Sequence, residues 1–416
     1  MKRKSPAKSP AKDLARGKAT STQQRQAMDP VKDSVERKAD QRTGKSQPGA
    51  ALSDAPAELG SIRERIDDID LRIHELLNER ARWAQQVGLS KRGEGLSTAD
   101  FYKPEREAQV LRRAIERNKG PLRNEEIARL FREIMSACLA QQEPLKIGFL
   151  GPEGTFSQQA VLKHFGHSVR ALPLPAIGEV FEEVQAGHAD FGVVPIENST
   201  EGTVNHTLDM FIHSPLKICG EIELRIRQHL MGRMQGLQKI ARVCSHPQSL
   251  AQCRQWLDEH LQNVERVPVS SNAEAARRAR DEDGTAAIAG EAAAEVYGLN
   301  MLVPDIEDTP DNTTRFLVIG RKLFSASGQD KTTLLVSAGD TQSPGALHRL
   351  LGPLAKRGIT MTRIESRPSR KKKWDYVFFI DVVGHAEQPP LQTALDDLKQ
   401  ASTLFRVLGS YPAAVL

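Results

Sequence analysis

Apolar residues recur every three or four positions over residues 62–87. The spacing predicts an amphipathic helix of about thirty residues that ends near Lys91, longer than is usual in a globular protein. A helix of this length needs an apolar partner along its whole face. Two shorter helices are predicted after it, one with Pro104 in its first turn and one that begins at the capping residue Asn124.

Short apolar runs alternate with helical spacing from residue 145 to about residue 302, which predicts a mainly parallel α/β sheet. Over residues 331–411 the order becomes strand, helix, strand, strand, helix, strand, as in ferredoxin-like α+β domains. We therefore expect a multidomain chain. Its predicted parts are a leader over residues 1–56, an all-α domain over 57–144, an α/β domain over 145–325 and an α+β domain over 331–416.

The net charge of +5 is concentrated in the first fifty residues, which hold 13 Lys and Arg against 5 Asp and Glu. This leader has almost no large apolar residues and is expected to be disordered. It lacks a secretion segment, and its acidic residues are atypical of a transit peptide. A nucleic-acid-binding tail is one interpretation. The composition favours a dispensable extension, or a true start at Met28.

A hydrophobic fraction of 39%, with no apolar run long enough to span a membrane, favours a soluble protein. Four cysteines stand apart without a Cys-x-x-Cys pair, which favours a reducing cytoplasm over a disulfide framework or zinc cluster. The sequence patterns of zinc proteases, phosphate loops and dinucleotide sites are absent. We expect no cofactor, no metal and no nucleic-acid or membrane partner.

Cations interrupt the apolar face of the long helix. Arg80 occupies a position where an apolar residue is expected, and Lys91 returns to within about 20° of the same face. Two cations on an apolar face are costly unless an anion lies between them. Arg63 lies roughly 100° away from Arg80, so it is expected to serve a different cavity.

Polar side chains crowd the ends of two predicted strands. Residues 195–203 read Pro-Ile-Glu-Asn-Ser-Thr-Glu-Gly-Thr and directly follow a buried apolar run. In open α/β sheets ligands bind at this edge, although an ordinary N-capping loop is an equal alternative on spacing alone. Residues 151–157 form a similar turn, in which Thr155 and Ser157 can cap a helix or contact an anion.

These two strings, with Asp-Asn-Thr-Thr-Arg-Phe at 311–316, resemble the signatures of prephenate dehydratases. The resemblance implies two lobes, as in periplasmic ligand-binding proteins, with a cleft that converts prephenate to phenylpyruvate, CO2 and water. It implies that Thr314 lies beside the leaving hydroxyl, and that the supporting polar groups are Glu197, Asn198 and Glu291. The implied substrate contacts are Thr155, Ser157, Ser199, Thr200 and Arg315. Arg315 has a structural ion pair as its alternative.

The helical segment resembles the all-helical chorismate mutases, which form intertwined dimers with a very long first helix. The resemblance implies that the substrate-binding residues are Arg63, Arg80, Lys91, Arg106, Glu107 and Gln142, with Arg63 reaching into the partner's site. The rearrangement of chorismate needs no nucleophile or cofactor. The protein need only hold two carboxylates in the compact conformer and stabilise charge on the ether oxygen.

The C-terminal segment resembles ACT regulatory domains through Gly-Ala-Leu at 345–347 and Glu-Ser-Arg-Pro at 365–368. The residues that the resemblance assigns to phenylalanine binding are Gly345, Ala346, Leu347, Glu365 and Ser366. Together the resemblances imply a cytoplasmic, homodimeric or larger bifunctional enzyme of phenylalanine biosynthesis, inhibited by phenylalanine. One alternative is a regulatory protein that has lost catalysis, against which the retention of Arg80, Lys91, Glu197 and Thr314 argues. The other alternative has a dehydratase that prefers arogenate.

Overall fold

The computed structural model describes residues 59–93, 101–338, 344–369 and 376–415. The chain divides into two compact units, residues 1–62 and residues 63–416. In the first unit the described residues are 59–62, which begin a long helix. The predictions for the leader over residues 1–56 lie outside the described residues.

Three helices come first, and they confirm the helices predicted from apolar spacing. They are α1 (Leu59–Gly93), α2 (Pro104–Arg117) and α3 (Asn124–Ala140). Large apolar side chains remain exposed along α1, at Ile66, Ile69, Ile73, Leu76, Trp83 and Val87. Within one copy of the chain, this face of α1 therefore stays open to solvent.

The middle of the chain builds two lobes, each with its own sheet. Its helices are α4 (Phe156–Phe165), α5 (Ile177–Ala186), α6 (Asn205–His213), α7 (Pro247–Gln252), α8 (Arg254–His260), α9 (Asn272–Asp281) and α10 (Glu291–Tyr297). Its strands are β1 (Lys146–Leu150), β2 (Arg170–Leu174), β3 (Phe191–Asn198), β4 (Gly202–Thr203), β5 (Lys217–Arg225), β6 (His229–Gly232), β7 (Arg242–Ser245), β8 (Glu265–Pro268), β9 (Thr285–Ala289), β10 (Asn300–Val303) and β11 (Thr313–Gly320).

The first lobe has the strand order β2-β1-β3-β11-β5, with β4 paired to β3, and the second has β10-β6-β9-β7-β8. Both sheets are mixed, and the expectation of a mainly parallel sheet was wrong. The chain crosses between the lobes twice, so β11 returns to the first sheet antiparallel to both β3 and β5. The parallel pairs β1–β3 and β7–β9 still bring carboxyl strand ends to one edge of each sheet.

The C-terminal segment, residues 330–415, contains β12 (Asp330–Ser337), α11 (Ala346–Lys356), β13 (Met361–Pro368), β14 (Tyr376–Val383), α12 (Leu391–Ala401) and β15 (Leu404–Pro412). Its sheet is antiparallel, in the order β13-β14-β12-β15. The segment shares one apolar core with the first lobe, in which Leu335 and Phe379 pack with Ile196 and Leu317. A side chain at Gly409 would overlap the Ile218 carbonyl, so only glycine permits this approach of the two sheets.

Helices α2 and α3 pack on the first lobe around a cavity of about 40 Å³. Tyr102 Oη lies 2.9 Å from His164 Nε2 at its wall. Burial raises the pKa of the Glu107 carboxyl to about 7, and the Arg132 guanidinium opposes this rise. Burial, and then Arg132, lower the pKa of His164 to about 3. At neutral pH the imidazole is therefore neutral, while the carboxyl is close to its midpoint.

None of the described helices combines the length and apolarity needed to span a membrane. Over the same residues there is no group of three or more His, Cys, Asp or Glu side chains arranged to hold a metal ion.

Titration of Glu107 should make folding stability depend on pH. Because its pKa is raised in the folded state, protonation stabilises the fold below the ordinary value of 4.5, and this stabilisation is lost as pH rises through 7. Relative to Glu107→Gln, the wild-type chain should lose about 1–3 kcal/mol between pH 5 and pH 8. Urea unfolding of both proteins at the two pH values measures this. Parallel pH dependence of the two would contradict it.

Candidate functional site

Strands β3 and β11 carry four of the nine predicted dehydratase residues, and their register pairs them. Thr314 lies opposite Asn198, and Arg315 lies opposite Glu197. Because successive side chains of a strand point to opposite faces, the pair Asn198 and Thr314 lies on one face of the sheet. The pair Glu197 and Arg315 lies on the reverse face.

Asn198 is the centre of a buried hydrogen-bonded cluster. Its amide nitrogen donates to Thr314 Oγ1 at 2.7 Å and to Asn312 Oδ1 at 2.8 Å. Its carbonyl oxygen accepts from the backbone N–H groups of Thr200 at 2.9 Å and Glu201 at 3.0 Å. These bonds fix the orientation of the amide. Since Thr314 accepts from Asn198, its own hydroxyl hydrogen points elsewhere and can be donated to a ligand.

Asn312 is a member of this cluster that the sequence analysis did not select. Its Oδ1 also accepts from the Ser199 hydroxyl at 3.4 Å, and the Thr313 N–H donates to Ser199 Oγ at 3.0 Å. Its Nδ2 is buried without a hydrogen-bond partner among the described residues, an arrangement suited to donation to an anionic ligand. The available signal was its position two residues before Thr314, in the string used to select Thr314.

The first turn of α4 lies beside the second lobe. Thr155 caps this helix: its hydroxyl accepts from the Gln158 N–H at 3.4 Å and donates to the Pro152 carbonyl at 3.0 Å. Ser157 is buried. A side chain at Gly290 would come within 2.6 Å of the Phe156 ring, which shows how closely the two lobes approach here. Glu291, the next residue, begins α10 and is exposed.

Arg315 faces the C-terminal segment and is paired with protein groups. Its Nη1 lies 2.6 Å from Asp381 Oδ2, its Nε lies 2.9 Å from Glu221 Oε2, and its Nη2 donates to the Tyr411 hydroxyl at 3.1 Å. This is the structural ion pair that was the alternative to substrate binding. Glu197 also faces this segment, with Oε2 2.9 Å from Arg363 Nε.

The helical segment brings Arg80 and Gln142 to the contact between α1 and the end of α3. Arg80 Nη1 donates to the Ile134 carbonyl at 3.4 Å, and Gln142 Nε2 donates to the Ala84 carbonyl at 2.9 Å. Gly88 makes this approach possible, because a Cβ there would lie within 2.5 Å of the Gln142 side chain.

The other predicted mutase residues are distributed differently. Arg63 lies 17 residues before Arg80 on α1, about 26 Å along the axis, so one chain cannot bring both to one pocket. Arg106 is exposed on the first turn of α2. Glu107 faces the cavity beside Arg132. The side chain of Lys91 lies outside the described residues.

Residues predicted to bind phenylalanine lie at the start of α11 and on β13. Gly345 has φ of +73° and precedes α11, where Ala346 is buried and Leu347 is exposed. Glu365 Oε2 accepts from the Thr203 hydroxyl of the first lobe at 2.8 Å, and Ser366 is exposed.

Three family models match in succession along the chain. They are chorismate mutase type II over residues 62–143, prephenate dehydratase over residues 147–323 and the ACT domain over residues 332–400. A bifunctional chorismate mutase/prephenate dehydratase from Stutzerimonas stutzeri is 56% identical over 362 residues, which cover 86% of this chain and 99% of the relative. The protein of the same description from Pseudomonas aeruginosa is 56% identical over 363 residues, with the same coverage of both chains.

A solved structure is also similar to part of the chain. It is a prephenate dehydratase from Arthrobacter aurescens in complex with L-Phe, with a TM-score of 0.60 and 39% identity. The match covers 64% of this chain and 90% of that one. The chain therefore belongs to the family of bifunctional chorismate mutase/prephenate dehydratases.

Proposed function

We propose that the two reactions of this family take place in this chain at two separate sites. Chorismate rearranges to prephenate in the helical segment, at a site that contains Arg80 and Gln142. Prephenate loses CO2 and its ring hydroxyl between the two lobes, at the Asn198–Thr314 pair. The observation that carries the second assignment is the buried hydrogen bond from Asn198 to Thr314, which leaves the threonine O–H hydrogen available to a substrate.

In the dehydration, the substrate carboxylate leaves as CO2 while its bonding electron pair enters the ring and expels the hydroxyl. Aromatisation drives the reaction, and the protein has to stabilise the departing oxygen and hold the remaining carboxylate. Thr314 donates to the departing oxygen and orients it. Asn312 Nδ2, Ser157 and the N–H groups at the start of α4 supply donors for the anion, and Thr155 fixes that helix start through its capping bonds. Ser199, Thr200 and Glu291 complete the polar lining.

In the rearrangement, the protein acts by holding charge in place. Arg80 pairs with one substrate carboxylate, and Lys91 and Gln142 donate to the ether oxygen as negative charge develops on it. Arg106, exposed on the first turn of α2, contacts the substrate. Glu107 faces the cavity beside Arg132. The lining of that cavity does not include Arg80 or Gln142, so Glu107 lies apart from this site. Arg63 cannot reach the Arg80 site of its own chain, so it binds the substrate held by a second copy.

The exposed apolar face of α1 supports this dimer. Monomeric proteins rarely leave a contiguous stripe of large apolar side chains in solvent. A groove of about 420 Å³ lies between α2 and α3 and offers apolar lining from Val110, Ala114, Ile127 and Phe131. We infer an intertwined homodimer in which α1 of each chain lies along the helices of the other.

The C-terminal segment binds phenylalanine as an inhibitor, on a ferredoxin-like fold. Gly345 at the start of α11 and Glu365 with Ser366 on β13 provide helix N–H groups and polar oxygens for an amino acid. The structure of the Arthrobacter aurescens relative with L-Phe supports this ligand class. Inhibition requires tighter binding to the less active arrangement of the enzyme.

Separate sites predict separable activities. Arg80→Ala should lower chorismate rearrangement about 100- to 1000-fold through loss of a transition-state contact, and turnover of supplied prephenate should be unchanged. Thr314→Ala should lower turnover of prephenate by a similar factor and leave chorismate rearrangement unchanged. Steady-state assays with each substrate measure both. Loss of both reactions in either folded variant would refute the two-site assignment.

The dimer predicts that a charge on the apolar face of α1 separates the chains. Ile73→Glu should give a monomer by sedimentation velocity, because a buried carboxylate would lack a partner. Mutase activity should be lost with the Arg63 contribution of the second chain. Glu75→Lys, about 200° around the same helix, is the control and should remain a dimer. A dimeric Ile73→Glu protein would contradict this interface.

The proposed inhibitor site predicts that a side chain at position 345 weakens inhibition by phenylalanine. Gly345→Val should weaken inhibition about 10-fold or more and leave uninhibited dehydration unchanged, because the side chain blocks the start of α11. Gly358 also has a positive φ, of +64°, just beyond the other end of α11. Gly358→Val is therefore a control for backbone strain and should retain normal inhibition. Equal loss of inhibition in both variants would show that strain alone is responsible.

A further inference from the structure

The C-terminal segment holds the active-site strands from their reverse face. Arg315 is the neighbour of Thr314 on β11, and its guanidinium bonds to Asp381 on β14 and Tyr411 on β15. Asp381 Oδ1 in turn accepts from the Thr333 hydroxyl on β12 at 2.6 Å. Three strands of the C-terminal sheet therefore contribute to the environment of one arginine of the catalytic lobe.

The partner strand is held in the same way. Glu197, the neighbour of Asn198 on β3, pairs with Arg363 on β13 at 2.9 Å. Arg363 Nη2 also donates to the Thr203 hydroxyl on β4 at 3.1 Å. The same hydroxyl donates to Glu365 at 2.8 Å. Each member of the Asn198–Thr314 pair thus has an adjacent residue bound by the C-terminal segment.

The charged groups that surround Arg315 are almost completely buried. The side chains of Glu221 and Asp381 are 1% and 3% exposed, and that of Arg315 is 14% exposed. Lys331 Nζ lies 2.7 Å from Glu221 and balances the second carboxylate. Buried charges tolerate little displacement, because a lost partner leaves an uncompensated charge. The backbone position of Arg315, and with it that of Thr314, is therefore held in part by side chains outside the lobe, together with Glu221 on β5.

We propose that Asp381 and Arg363 are positioning residues for the dehydration reaction. They hold Arg315 and Glu197, and through them they set the separation and orientation of Thr314 and Asn198. The assignment rests on the proposed role of Thr314. It also gives phenylalanine a route to the active site, because Glu365 belongs both to the proposed inhibitor site and to the contact with Thr203.

The test uses Asp381→Asn and Arg363→Gln in the full chain, with prephenate as substrate. Each variant should lower kcat about 10- to 100-fold, the range expected when a catalytic group is misplaced, and should change KM less than about 3-fold. Arg406→Gln is the matched control. Arg406 also joins the C-terminal segment to the first lobe, but it donates to the carbonyls of Phe211, Ile212 and Ser214 at the end of α6. Its kcat should equal that of the wild type.

A double-mutant comparison distinguishes positioning from a general loss of stability. In a Thr314→Ala background, Asp381→Asn should lower kcat by a further factor of less than about 2, because the group that Asp381 positions is already absent. Phenylalanine should still bind Asp381→Asn by calorimetry but inhibit it less. If Asp381→Asn does not fold, Tyr411→Phe removes one bond to Arg315 without changing a charge. This variant should lower kcat while KM changes little.

Four results would overturn the proposal. The first is a kcat of Asp381→Asn or Tyr411→Phe equal to that of Arg406→Gln. The second is a kcat of the Asp381→Asn, Thr314→Ala double variant that is lowered by the full product of the two single effects. The third is inhibition of Asp381→Asn by phenylalanine that is as complete as inhibition of the wild type. The fourth is a loss of kcat in Arg406→Gln as large as the loss in Asp381→Asn. A wild-type chain that does not turn over prephenate would instead refute the dehydratase assignment, and it is the first measurement of the series.

Discussion

The pairing of β3 with β11 is the constraint on which the dehydratase half depends. One residue step along these strands separates the Asn198–Thr314 pair, proposed to face the substrate, from the Glu197–Arg315 pair, which faces the C-terminal segment, because side chains alternate across a sheet. The arginine that follows Thr314 carries a charge that burial would make very costly if it were unpaired. Two of its partners, Asp381 and Tyr411, come from a segment more than sixty residues later in the chain. The bonds that attach the C-terminal segment to the first lobe therefore also act on the strands that carry Asn198 and Thr314.

The two proposed active sites differ in how much of each lies in a single chain. At the dehydratase site, Asn198, Asn312, Ser199 and Thr314 are already joined by hydrogen bonds. At the proposed mutase site, Arg80 and Gln142 each bond a backbone carbonyl across the contact of α1 with the end of the helical segment. Arg63 lies about 26 Å from Arg80 along a straight helix. In the proposed dimer, the second chain covers the exposed apolar face of α1 and also supplies the missing arginine.

Apolar periodicity predicted the three N-terminal helices, and the motif strings selected Asn198 and Thr314. The sequence was less informative about which neighbours act with them. Glu197 and Arg315 adjoin these residues in the motifs, yet the strand period of two directs them to the C-terminal segment. Their partners Arg363 and Asp381 carry no local signal, because pairing across more than sixty residues depends on tertiary packing. The mixed sheets were missed for a related reason, since apolar runs do not reveal the direction of a strand.

Hydrogen exchange tests most directly whether the C-terminal segment sets the geometry of the catalytic strands. Amide exchange should be followed in peptides that cover residues 193–200 and 312–318, with and without phenylalanine, in the wild type and in Asp381→Asn. Phenylalanine should change exchange in both peptides of the wild-type chain and leave the 312–318 peptide of the variant unchanged. A change confined to residues 344–369 at a concentration that fully inhibits dehydration would contradict the account.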